Sequence, residues 1–203
     1  MELKALLLAA ALNLSAAGGS LAAEVVLETR PWPEPSACVG CIPIQFGQLE
    51  MQLPLSQVGK VLVFDRGNPV VTFAPTSGNV LDGVSLIAIP QERLFARYRK
   101  LGFFKQHGIK TARQFYDTVG SPAADDKTLA LVRKVELSDN VSSYTKSTKG
   151  NVSVYRIDIG TDESDVRVYF LVDDDSSIYT LAGPVSQALY AAILSNLRIV
   201  KVP

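Results

Sequence analysis

The apolar pattern is clearest between Val152 and Val200. It falls into two long alternating runs, one short run and a stretch without charge. Strand side chains alternate with a period of two. Val152 to Ile159 therefore sends Tyr155, Ile157 and Ile159 to one face and Arg156 and Asp158 to the other. A polar segment with a glycine, Gly160 to Asp165, suits a hairpin loop. Val166 to Val172 follows, with Val166, Val168, Phe170 and Val172 on one face and Arg167, Tyr169 and Leu171 on the other. That second face is only partly polar, so a cover on both sides is expected. Asp173 to Ser177 turns the chain into a third strand, Ile178 to Leu181. Gly183 to Leu197 then contains no charged residue. Pro184 suits a first helical turn. Val185, Leu189, Ile193 and Leu197 form an i, i+4 stripe with Ala188 and Ala192 beside it. The pattern predicts a helix buried on the sheet, its other side covered by the rest of the chain or by a second subunit.

Upstream, Ile44 and Phe46 alternate, Gly47 interrupts, and Leu49, Met51 and Leu53 resume on a shifted phase, the signature of a β-bulge. Val61 to Phe64 and Val70 to Phe73 flank Asp65–Pro69 as a hairpin, and Val84 to Ile89 is a further strand ended by Pro90. Glu92 to Leu101 reads as a helix with Leu94, Phe95, Tyr98 and Leu101 inward. Thr111 caps a helix carrying Phe115, Tyr116 and Val119, and Ser121-Pro122 starts another through Leu129, Val132 and Val135. Ser143 to Thr148 pairs with the strand from Val152 across Lys149–Asn151. The sum is an α+β fold: an antiparallel sheet of about six to seven strands, helices packed on it, and the C-terminal helix covering it.

The run Val166-Arg-Val-Tyr-Phe-Leu-Val172, then Ile178-Tyr-Thr-Leu-Ala-Gly183, the apolar helix and Ser195-Asn-Leu-Arg-Ile199 resemble the closing segment of PsbP-like domains. The resemblance covers Val166 to Ile199. It implies sheet strands, a covering helix and a short tail. It also implies a non-enzymatic binding or assembly factor, and it transfers no functional residue.

Met1 to Ala23 reads as a secretory signal peptide, with Lys4 in the n-region, Ala5 to Leu12 apolar, and small residues near Ala22 and Ala23 for cleavage. A Pro-rich extended arm with the two cysteines then spans 24–43, and a single α+β domain spans 44–203. The expected setting is the periplasm or the extracellular space. Lys plus Arg total 20 and Asp plus Glu total 20. That balance argues against a nucleic-acid partner.

Cys38-Val-Gly-Cys41 is the only cysteine pair. No helix follows it, as a thioredoxin-like site would require, and residue 42 is isoleucine where haem attachment needs histidine. A local disulfide is the expected state, and a thiol–disulfide function of Cys38 and Cys41 is the alternative. Between Glu92 and Arg113 there are seven Lys or Arg against one Glu. Arg93, Arg97, Lys100 and Lys105 thus form a candidate patch for an anionic partner, a lipid headgroup or a glycan, against the plainer reading of a solvated helix face. A membrane surface is the less favoured of these partners. His107, the one histidine, is expected to cap a helix end. The acidic turns 162–165 and 173–175 read as turn chemistry. No cofactor, metal site or catalytic set is indicated. The reading is an exported, non-catalytic binding or accessory protein that contacts a protein partner or forms a homodimer, with an immunity-type protein as one case.

Overall fold

The computed structural model describes residues 25–65, 68–77, 79, 82–123, 125–161 and 163–201. The segment read as a signal peptide lies outside the described residues. In chain order the strands and helices are β1 (Glu28–Thr29), β2 (Cys41–Phe46), β3 (Leu49–Pro54), β4 (Lys60–Asp65), β5 (Pro69–Ala74), β6 (Val84–Pro90), α1 (Gln91–Tyr98), α2 (Phe103–Gln106), α3 (Ala112–Val119), α4 (Lys127–Leu137), β7 (Val141–Lys149), β8 (Val152–Ile159), β9 (Asp165–Val172), β10 (Ser177–Gly183), α5 (Gln187–Asn196) and β11 (Arg198–Ile199). The architecture is α+β, with one eight-stranded sheet in the order β1-β7-β8-β9-β10-β6-β5-β4 and a three-stranded sheet β11-β3-β2. All pairings are antiparallel except β1 with β7, which is parallel.

The central strands β8, β9 and β10 are apolar on both faces, and each face has its own roof. On one side Val154, Val168, Phe170 and Leu181 pack against Leu49, Met51 and Leu53 of β3 and Leu189 and Ile193 of α5. On the other, Tyr155, Ile157, Tyr169 and Ile178 pack against Leu94, Phe103, Phe115 and Val132 of the four earlier helices. The stripe Val185, Leu189, Ile193 and Leu197 is buried as its spacing predicted. Ala188 and Ala191 face solvent, so the outward side of α5 is open at its small residues.

Four local expectations are corrected. Gly47 does not make a bulge: Phe46 pairs with Leu49, so Gly47 and Gln48 are a two-residue hairpin turn. Gly47 has φ +57°, and a Cβ there would lie 2.5 Å from the Tyr179 hydroxyl, so only glycine fits. The first helix ends at Tyr98 and tightens into a 3-10 turn over Arg99–Leu101, which swings Leu101 out to solvent. α4 starts after Asp126, whose carboxylate accepts from Leu129 N, rather than at Ser121-Pro122. Pro184 precedes the last helix, and Ser186 caps it by accepting from Leu189 N. Thr111 caps α3 as expected, in a full capping box with Gln114.

The N-terminal arm wraps the β7 margin of the main sheet. Leu27 N donates to Gly120 O at 2.8 Å, β1 pairs with β7, and Arg30 N donates to Lys146 O at 2.8 Å. Gly120 permits this approach: a Cβ there would fall 2.3 Å from Leu27 Cβ. On the helical side the buried Arg133 of α4 donates to Val119 O and Val25 O, each at 2.6 Å, and to Ser121 O. On the opposite side Trp32 Nε1 donates to Leu194 O of α5 at 3.0 Å, and the Ser36 and Ser195 hydroxyls meet at 3.1 Å. The arm therefore joins both roofs. Arg133→Met removes the donor shared by three carbonyls. It should lower unfolding free energy by about 2–4 kcal/mol in urea melts and speed hydrogen exchange at the Leu27 amide.

Candidate functional site

Cys38 and Cys41 are joined in a disulfide, with Cα atoms 5.5 Å apart, in the turn that leads into β2. Val39 between them is 95% exposed. His107 lies in the helical layer, its ring 4.6 Å from that of Phe103 and its Nε2 3.2 Å from Asp126 Oδ2. The fold does not bring the cysteines and the histidine together. His107 is the residue that ends α2, as expected.

The candidate basic patch divides. Arg93, Lys100 and Lys105 are exposed. Arg97 is tied down: its Nη1 is 2.7 Å from Oε1 of Glu136, a residue only 5% exposed. The Tyr98 hydroxyl donates to the same oxygen. Arg97 thus compensates a buried carboxylate that would otherwise be costly. In the acidic turn after β9, Asp173 pairs with Arg113 at 2.8 Å, and Asp175 accepts from Ser177 N and from the Tyr179 hydroxyl. These contacts hold the turn.

A pocket of about 400 Å³ lies between the arm, the outer strands and α5. Arg30, Pro31 and Pro33 of the arm form one wall, and Ser143, Thr145 and Ser147 of β7 form the floor with Arg156 of β8. Gln187, Tyr190 and Ala191 of α5 close the remaining side. The alternation of β8 puts Arg156 on the face of Val152 and Val154, where it is 1% exposed. Its Nε donates to Asp158 Oδ1 at 2.8 Å, and Nη2 lies 2.5 Å from the same oxygen and 3.6 Å from Glu163 Oε1. The guanidinium sits 5.0 Å from the Tyr190 ring centroid. Its Nη1 is buried and has no acceptor among the described residues. The Tyr190 hydroxyl, beside Ser147, also makes no hydrogen bond of ordinary geometry. The sequence pattern assigned Arg156 to a face without giving it a role. The signal was an arginine two residues beyond Val154 in a run of strand formers.

On the helical face, tyrosines cluster. The Tyr116 and Tyr169 rings are 4.6 Å apart, and Tyr144 and Tyr155 stand within 6.3 Å of each other. Tyr144 donates to Tyr116 O at 2.9 Å, and Tyr155 donates to Asp117 Oδ1 at 2.8 Å, which Lys146 also holds at 2.6 Å. Burial pushes the Tyr116 and Tyr144 phenols well above the ordinary value, with neighbouring tyrosines adding to it. Burial first, then Glu136, pushes Tyr169 up to about 12. Burial likewise raises Tyr190 to about 12, against the lowering effects of Ser147 and Arg156.

No protein-family model matches this sequence, and no curated protein matches it.

The tyrosine shifts fix a sign. Above pH 10 the unfolded chain sheds phenolic protons that the folded chain retains, so the unfolded state binds fewer protons and stability falls. The tyrosine contribution is complete below pH 10 and declines toward the folded value of about 12 for Tyr169 and Tyr190. Urea midpoints should fall steadily from pH 10 to 12, with tyrosinate absorbance rising cooperatively with loss of near-ultraviolet dichroism. Early, non-cooperative ionisation of all the tyrosines would contradict the buried cluster.

Proposed function

We propose that this is an exported, non-catalytic binding protein that works by protein–protein contact, the partner adding an extended strand to the margin of the main sheet at β4, which among the described residues pairs with β5 alone. The observation that carries the reading is the character of that margin. β4 reads Lys60-Val-Leu-Val-Phe-Asp65, with no charge between its ends. Val61 and Val63, opposite Phe73 and Val71 of β5, share one face, and Phe64 lies on the other. They are 52%, 67% and 52% exposed. Soluble proteins usually blunt a free margin with charge, proline or a bulge. A strand apolar on both faces has the composition of an interior strand. Partner strands supply main-chain hydrogen bonds and seat apolar side chains on alternate sides, the mode of β-strand addition.

The N-terminal pattern and the Cys38–Cys41 bridge support export, since such bridges persist in oxidising compartments. The resemblance of Val166–Ile199 to PsbP-like domains points the same way, toward a binding or assembly factor. An immunity-type protein that sequesters a toxin is one form this activity takes.

A photoactivatable phenylalanine analogue at position 63, in cells that make the full chain, should give one discrete cross-linked adduct. Its mass distinguishes a second copy from a different protein. The adduct should vanish when Val61 and Phe64 are both lysine. The same probe at Leu131, an exposed apolar position of α4, should give none. An absence of adduct at position 63, or equal adducts at 63 and 131, overturns the reading.

A further inference from the structure

We infer that the pocket beneath the N-terminal arm is a binding site for a small organic monocarboxylate, recognised by Arg156. This is a separate site from the β4 margin. The inference begins with Arg156, a fully buried cation in the floor of a cavity whose volume, about 400 Å³, is in the range of small-ligand sites. Buried polar groups in folded proteins are almost always hydrogen-bonded, and an unmatched buried donor is costly. Nη1 is such a donor, and the Tyr190 hydroxyl, near Ser147, makes no hydrogen bond of ordinary geometry. Both belong to residues that line the same cavity. An oxygen acceptor bound there would satisfy them.

The charge around Arg156 narrows the chemistry. Asp158 already engages Nε and Nη2, and Glu163 stands 3.6 Å from Nη2. Any anion here meets these two carboxylates, and a singly charged carboxylate meets about half the repulsion of a phosphate dianion. The hydroxyls of Ser143 and Ser147 can donate to its second oxygen. Pro31, Pro33 and Ala191 offer an apolar wall for a short carbon body. Arg30 is paired with Glu28 at 2.6 Å and adds little net charge.

The strap over the pocket supplies the readout. Trp32, the only tryptophan of the chain, lies between Pro31 and Pro33 and is anchored to Leu194 O. Titrating the full chain with propionate at constant ionic strength should give a saturable change in Trp32 fluorescence. Inorganic phosphate and propionamide should give at least tenfold weaker responses. Arg156→Gln should weaken propionate binding at least tenfold. Because that variant also leaves Asp158 without its partner, Ala191→Phe provides an independent check: position 191 is exposed on α5, so the fold is retained while the pocket is filled. It should abolish the response with an unchanged melting temperature. No saturable response to propionate overturns the inference. So does phosphate or propionamide binding as tightly as propionate, or full binding by Ala191→Phe. The β4 cross-link is unaffected by Ala191→Phe, so the two proposals fail separately.

Discussion

Everything in this molecule follows from three neighbouring strands that cannot leave either face in water. β8, β9 and β10 bury apolar side chains above and below. An antiparallel sheet with one such face needs one layer against it; with two it needs two. The chain supplies them from different regions. Four helices from its middle cover one face, and the β2–β3 hairpin with α5 covers the other. Because the roofs come from segments distant in sequence, something must tie them to the same sheet, and the N-terminal arm does so.

Buried charge marks the places where these layers are joined. Arg133 gathers three carbonyls, two at the end of α3 and one in the arm. Glu136, one turn away on α4, holds Arg97 and Tyr98 of α1. Arg156 is different. Its nearest counter-ion Asp158 is on its own strand, its guanidinium lies against the Tyr190 ring of α5, and Nη1 has no acceptor among the described residues. A buried ion pair contributes little net stability compared with apolar packing. Arg133 and Glu136 connect elements of different layers; Arg156 meets α5 through Tyr190 and also lines a cavity.

The parts legible in the sequence were those in which one period dominates. The alternation from Tyr155 through Leu181 gave strands, faces and the need for a double cover, and the Val185–Leu197 stripe gave the helix that supplies one of them. The local disulfide was legible from Cys38-Val-Gly-Cys41 and its context. Positions where two local solutions share one pattern were not. A glycine that slips the phase between Phe46 and Leu49 reads as a bulge, yet it makes a two-residue turn with the Tyr179 ring packed against it. Ser121-Pro122 looks like a helix start, but the helix begins after Asp126, whose carboxylate accepts from Leu129 N. The arm read as extended, but its course around the sheet depends on partners such as Leu194, 162 residues from Trp32. The site of Arg156 is invisible for the same reason: its pocket is assembled from the arm, β7 and α5, and no short motif spans them.

The two margins of the eight-stranded sheet are unequal. At one end β1, paired in parallel with β7 and followed by Pro31 and Pro33, offers a short, proline-blunted border. At the other end β4 pairs with β5 alone among the described residues. A sheet with one sealed border can be extended in a single direction, and whatever joins there brings growth to a stop unless it carries an open border of its own. Two copies meeting border to border would consume the open ends of both and form a closed pair, not a filament.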